Sequence, residues 1–160
     1  MSGHWELLVH TQRVQPSMQP SATDLEVLDL VRSALNEYGE DIVHVSHNWG
    51  SAAGMWFVEV RPANTRAARI DIAFDGDDLI NITVGETWFE MFPFADGTLD
   101  GIRTIVAAVA AGGFEEVRGS LFGEGRGRLY TETGTWRVGA LGLPLPWRLP
   151  PRRRYEPYAS

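Results

Sequence analysis

The chain has 160 residues, an apolar fraction of 44% and no cysteine, which predicts one globular domain and excludes disulfides, thiolate catalysis and cysteine-based zinc sites. All 14 basic residues are arginines, and because 21 acids outnumber them the net charge is −7. An acidic body of this kind repels free nucleic acid, so we expect no nucleic-acid partner.

The chain shows no segment that would place it in or across a membrane. Its longest run of small apolar residues, 105–111, is far too short to cross a bilayer. The first residues also lack the apolar core of a secretory signal. We therefore expect a cytoplasmic protein without a membrane partner.

The first half of the chain predicts a helix followed by strands. Thr23 and Glu26 have the spacing of a capping box, so we expect a helix from about Asp24 to Tyr38, stopped by Gly39. From residue 42 the apolar period changes from 3.6 to two. The segment 42–92 therefore predicts an antiparallel meander of four or five strands.

The second half predicts another helix and more strands. Thr98 is expected to cap this helix, with Asp100 in its first turn, and Gly112 and Gly113 end it. Short strands are expected at 114–122, 128–131 and 135–138. This order of elements predicts an α+β fold: a meandering antiparallel sheet of about six to eight strands with two helices packed on one face. The alternative is a curved sheet that wraps one long helix.

The sequence predicts a single domain over residues 1–138 and a proline- and arginine-rich tail over 139–160. Residues 137–160 contain five arginines and one acid, Glu156, so this end carries a charge of +4. The remaining 136 residues hold nine arginines against 20 acids. We expect the tail to fold back with its arginines against the acidic body; the alternative is a polyproline ligand for another protein.

Three motifs resemble ligand-binding sites, but the secondary structure predicted around each motif argues against that function. His44 and His47 lie on a predicted strand, so their spacing of three puts them on opposite faces and argues against a shared metal. The glycine-rich loop 123–127 precedes a strand and not the helix that a phosphate loop requires. The acidic turn 75–78 lacks the loop of a calcium site. We therefore expect no metal and no cofactor.

The strongest candidate site is a set of acidic and aromatic residues on the predicted sheet. By strand parity, Glu86, Trp88, Glu90 and Phe92 share one face, and Glu59 lies on a nearby strand. Tryptophan often contributes much of the energy of an interface, and carboxylates attract a basic partner. The alternative is that Trp88 covers the face on which the helices pack.

The segment from Gly85 to Pro93, followed by an Asp-Gly loop and the helix Leu99–Ala111, resembles the immunity proteins that protect actinobacteria against their own polymorphic toxins. The resemblance covers less than a third of the chain and extends to its small, acidic, cysteine-free composition. It implies a protein that masks a basic toxin. It assigns no role to any particular residue.

Three functions remain open from the sequence. The first is a non-enzymatic interaction domain, an immunity or antitoxin-like protein, that masks a basic protein partner with Glu59, Glu86, Trp88, Glu90 and Phe92. The second is a small-molecule-binding domain or weak hydrolase with a sheet-lined pocket holding His44 and Glu59. The third is a homodimer joined at strand edges near 128–138. The balance is against catalysis, because no nucleophile or base stands beside the carboxylates.

Overall fold

The computed structural model describes residues 19–74, 79–91, 97–117, 125–139 and 151–159. These residues form two helices and nine strands. The helices are α1 (Ala22–Ala34) and α2 (Thr98–Ala110), and the strands are β1 (Val43–Gly50), β2 (Met55–Pro62), β3 (Ile70–Phe74), β4 (Ile80–Val84), β5 (Thr87–Met91), β6 (Phe114–Val117), β7 (Arg126–Thr131), β8 (Gly134–Gly139) and β9 (Arg152–Arg154). Within the described ranges, neither helix is long and apolar enough to span a membrane.

Helix α1 begins earlier than the sequence indicates, because a different pair forms its capping box. The amide of Asp24 donates to Ser21 Oγ (3.1 Å), and the amide of Ser21 donates to Asp24 Oδ2 (2.7 Å). The predicted pair, Thr23 and Glu26, is therefore wrong. Both pairs have the required spacing, and the earlier one adds helical residues and their hydrogen bonds to a short helix.

The other helix boundaries also differ from expectation. Helix α1 ends before Leu35, whose amide is shared between two carbonyls and so tightens the last turn, and not at Tyr38. Helix α2 is capped by Gly97 without a side-chain hydrogen bond, so the predicted cap at Thr98 is wrong. Asp100 lies in the first turn as expected, where the helix dipole favours a carboxylate.

Strands β1 to β5 form an antiparallel sheet in chain order, which confirms the predicted meander. Their side chains alternate between two faces. The apolar face, with Val58, Val60 and Ile72, is buried, and α1 packs against β1, β2 and β3. Helix α2 packs on α1 and on β7.

The later strands form a second antiparallel sheet, in the order β8-β7-β6-β9. The predicted class, α+β with an antiparallel sheet and two helices, is confirmed, but the strands divide into two sheets and do not continue one meander. Alternation of apolar and polar residues predicts a strand but does not show which other strand it pairs with. Here α2 separates β5 from β6, which pairs with β7 and β9 instead.

The segment that the sequence presents as a tail supplies part of the fold. Strand β9 pairs with β6, and the side chains of Tyr155 and Tyr158 are 4% and 3% exposed. As the fold-back interpretation expects, Arg152 contacts Glu115 at 3.4 Å. The proline-rich residues 140–150 lie outside the described ranges.

A buried carboxylate joins the two sheets. Glu116 of β6 is 2% exposed and accepts hydrogen bonds from the Glu86 amide (2.5 Å), Thr87 Oγ1 (3.2 Å) and the Tyr155 hydroxyl (2.8 Å). We call this set the Glu116 bridge. A buried carboxylate destabilises a fold unless hydrogen bonds replace its water, and these three donors do so. The turn before β5 is thereby fixed to β6 and to the residue after β9.

Replacing Gly85 with alanine should destabilise the fold by more than about 1 kcal/mol. Gly85 has a φ of +62°, which costs an L-residue energy, and a Cβ there would lie 2.8 Å from Glu116 Oε1. Urea unfolding measures the change. Gly97→Ala is the control and should lose less, because a Cβ at this N-cap of α2 meets no atom of the described residues within 4 Å. Equal stability of the two variants would contradict the account of this turn.

The free energy of unfolding should fall as the pH rises above about 10, the ordinary pKa of tyrosine. Burial is the largest cause that raises the pKa values of Tyr155 and Tyr158 in the folded protein. Their hydroxyls therefore ionise first in the unfolded chain, so alkali favours unfolding. Tyr155→Phe should flatten this dependence in urea titrations, whereas Tyr130→Phe, at an exposed site, should not. Parallel curves for all three proteins would refute this assignment.

Candidate functional site

One face of the five-stranded sheet carries mostly polar side chains. The buried side chains of Val58, Ile72 and Ile82 point to the opposite face, on which α1 packs. The pairing register arranges the polar face in two rows that each cross all five strands. We call the following ten residues the acidic sheet face: Ser46, Glu59, Asp71, Thr83 and Trp88 in the first row, and Asn48, Phe57, Ala73, Asn81 and Glu90 in the second.

The structure places three of the five predicted contact residues on the acidic sheet face. Trp88 and Glu90 both point outward from β5, as strand parity predicts. Glu59 lies in the same row as Trp88, three strands away, which is about 14 Å at ordinary strand spacing. Glu86 lies beside the face, in the turn before β5, and Phe92 lies outside the described residues.

The acidic sheet face carries more negative than positive charge. Its carboxylates belong to Glu59, Asp71 and Glu90, and Arg61, farther along β2, lies beside the first two. The guanidinium of Arg61 lies 3.3 Å from Glu59 and 2.7 Å from Asp71, so it partly neutralises both. Glu90 is exposed at the edge of the sheet. The carboxylates therefore leave a net negative charge on the face, strongest toward β5.

Trp88 is the large aromatic residue that this face exposes. It is 49% exposed, far more than a tryptophan that covers a helix-packing face. The alternative interpretation, that Trp88 belongs to the core, is therefore wrong. Phe89, its neighbour on β5, points the other way and is 9% exposed. The exposed indole thus lies beside Glu90 on an edge strand.

A cleft of about 630 Å³ opens beside Trp88, between β5 and β8. Glu86, Trp88 and Glu90 line it from one side, and Trp136 and Arg137 line it from the other. Neither His44 nor Glu59 lines this cleft, so it is not the pocket that the sequence suggests for a small molecule. The cleft nevertheless combines aromatic walls with charged groups of both signs, and its volume suits a small ligand.

Sequence reasoning missed the second wall of this cleft. Trp136 and Arg137 follow Trp88 by almost fifty residues, and β5 and β8 belong to different sheets. The alternation of 134–139 indicates a strand but gives no sign that this strand approaches β5. The sequence around Arg61 likewise gives no sign that this residue lies between two carboxylates.

The two histidines of β1 lie on opposite faces, as predicted. His44 is exposed opposite Arg61, and His47 is half-buried opposite Val58. In the part of the chain that the structure describes, no group of three or more histidine, aspartate or glutamate side chains could hold a metal ion.

His47 is packed against an aromatic ring, and one of its ring nitrogens has no hydrogen-bond partner among the described residues. Its ring centroid lies 4.6 Å from that of Trp56, which lies 5.8 Å from that of Trp49. Among the described residues, neither His47 Nε2 nor Trp56 Nε1 has a hydrogen-bond partner. Burial lowers the pKa of His47; Asp24 opposes this effect and Arg32 adds to it.

Comparison of the chain with protein-family models, with curated proteins and with solved structures returns no match.

The free energy of unfolding should also fall as the pH drops below about 6.5, the ordinary pKa of histidine. Since the pKa of His47 is lowered in the folded protein, the unfolded chain takes up its proton first, and acid favours unfolding. Urea titrations between pH 5 and 8 should show a smaller decline for His47→Gln. His44→Gln, an exposed control on the same strand, should behave as the parent protein does. An unchanged decline in His47→Gln would contradict this prediction.

Proposed function

We propose that this chain is a non-enzymatic, cytoplasmic interaction domain whose acidic sheet face binds a basic segment of a partner protein. The observation that supports it best is the exposed indole of Trp88, which lies between carboxylates on an edge strand and beside a cleft. A half-exposed tryptophan is unfavourable in water, and interfaces are enriched in this residue. The surrounding carboxylates favour a partner rich in arginine and lysine.

The net charge of −7 supports the same partner class. Long-range attraction between an acidic protein and a basic one increases the rate of association. A nuclease-type toxin, whose substrate groove is shaped for phosphate, would be such a partner. This partner is the one that the resemblance to immunity proteins implies, and the acidic sheet face would then mask the groove of the toxin.

A second candidate function rests on the β5–β8 cleft. Its volume of about 630 Å³ and its walls of Trp88 and Trp136 fit a small aromatic or amphipathic ligand. Such a ligand would stabilise the purified protein against heat, because it binds only the folded state. The third function considered from the sequence, a homodimer joined at strand edges, remains a prediction. It would use β8, which is an edge strand of the second sheet.

The proposal is tested by purifying the tagged protein from its own host at low salt and identifying what accompanies it. We expect a stoichiometric basic polypeptide that dissociates as salt rises, because salt screens charge attraction. A preparation without such a polypeptide would contradict the proposal. In that case, a rise in melting temperature with a metabolite would support the small-molecule candidate, and a second copy of the chain would support the homodimer.

Variants of the acidic sheet face should then weaken binding selectively. Trp88→Ala should raise the Kd for the partner by about 30-fold or more, corresponding to a hot-spot residue of about 2 kcal/mol. Glu90→Arg should slow association and reduce its salt dependence. Glu26→Arg makes the same charge change on α1, at an exposed site on the other side of the sheet, and should have little effect. Equal effects of Glu90→Arg and Glu26→Arg would show that only net charge matters.

A further inference from the structure

A second cleft, of about 440 Å³, gathers positive charge in this acidic protein. Three arginines line it: Arg61 near the end of β2, Arg69 before β3 and, from the far end of the chain, Arg153 in β9. Tyr155 and the turn residues Gly85 and Glu86 also line the cleft. We call it the arginine cleft.

Arg61 forms a fixed wall of the arginine cleft. Besides its contacts with Glu59 and Asp71, its Nη1 donates to the carbonyls of Val60 and Ile70, each at 3.3 Å. Its charge is therefore balanced, and its Nη1 group is already occupied by acceptors. The other two arginines of the cleft are less constrained by acceptors.

Arg153 is held in place without a carboxylate closer than 3.8 Å in the part of the chain that the structure describes. Its guanidinium carbon lies 4.7 Å from the centroid of the Tyr155 ring, a cation–π geometry that orients the side chain. The nearest oxygen of Glu86 is 3.8 Å away, well beyond the length of about 2.8 Å that a charge-assisted hydrogen bond requires. A ligand oxygen could therefore bind Arg153 more closely than Glu86 does.

Arg69 is exposed and, among the described residues, makes no ion pair. Its backbone is fixed next to the turn, because its carbonyl accepts a hydrogen bond from the Gly85 amide at 2.9 Å. The Cα atom of Arg69, from which its side chain extends, is therefore held at the wall of the cleft. Within the described ranges, two guanidinium groups with unused donors thus flank one concave site.

We propose that the arginine cleft binds a small oxyanion, a phosphate or carboxylate group, between Arg69 and Arg153. A guanidinium fork matches two oxygens of such a group, and an anion relieves the repulsion between two nearby cations. Glu86 lines the cleft, and Glu59 and Asp71 lie against Arg61, so these carboxylates would repel a polyanion. The cleft therefore suits a single small anion and not a nucleic acid, and this proposal does not depend on the proposed function.

The proposal is tested by thermal unfolding in inorganic phosphate and, separately, in malonate, each against sodium chloride of equal ionic strength. One of the two anions should raise the melting temperature in a saturable way, below about 50 mM, because it binds the folded state. The anion that does so distinguishes phosphate from carboxylate ligands. If neither anion acts beyond the chloride control, the proposal is overturned.

Variants test whether the anion binds in the arginine cleft. Charge screening by salt would change all variants alike, whereas binding in the cleft predicts opposite changes in affinity. Arg69→Gln should weaken the affinity for the effective anion by about tenfold or more, as expected for a lost charged hydrogen bond. Glu86→Gln should strengthen it, because Glu86 competes for Arg153. Arg103→Gln, at an exposed site on α2, is the matched control and should change nothing. Equal losses in Arg69→Gln and Arg103→Gln would overturn the assignment, as would a weaker affinity in Glu86→Gln.

Discussion

The buried carboxylate of Glu116 is the constraint on which the arrangement of the two sheets depends. It accepts hydrogen bonds from the turn before β5 and from Tyr155, so elements far apart in the chain meet at one group. A buried carboxylate that lost one of its donors would be left partly unsatisfied, at a cost of several times the net value of an ordinary hydrogen bond. The geometry of the bridge is for this reason strict, and it fixes the position of β5 relative to the second sheet.

The cleft beside Trp88 and the arginine cleft both depend on the position of β5 relative to the second sheet. Strand β5 presents Trp88 and Glu90 to solvent, and the second sheet brings Trp136 and Arg137 close enough to form a cleft. On the other side of the turn, β9 brings Arg153 toward Arg69. Glu86 lines both clefts and is bonded through its amide to Glu116. An acidic, aromatic surface and an arginine-rich one thus lie on either side of a single two-residue turn.

Local patterns in the sequence predict those structural features that depend on neighbouring residues. Alternation identified the strands of the first sheet, and parity placed Trp88 and Glu90 on the same outward face. Glu116 could not be found in this way, because a glutamate on a short strand is normally exposed and its three donors are non-local. The sequence also places Tyr155 in a tail, because prolines and arginines precede it, although its ring is buried. Pairings across the whole chain, such as β6 with β9, leave no periodic signal in either segment.

The pairing of β9 with β6 has a consequence for synthesis of the protein on the ribosome. A nascent chain that has already emerged through β8 still lacks the strand beside β6 and the hydroxyl that Tyr155 donates to Glu116. It also lacks Tyr158, which donates to the carbonyl of Ala68 from ninety residues away. Contacts of such long range form late and slow folding. The second sheet is therefore completed only after residues 152–158 have left the exit tunnel, and a nascent chain stalled before that point exposes an open strand edge.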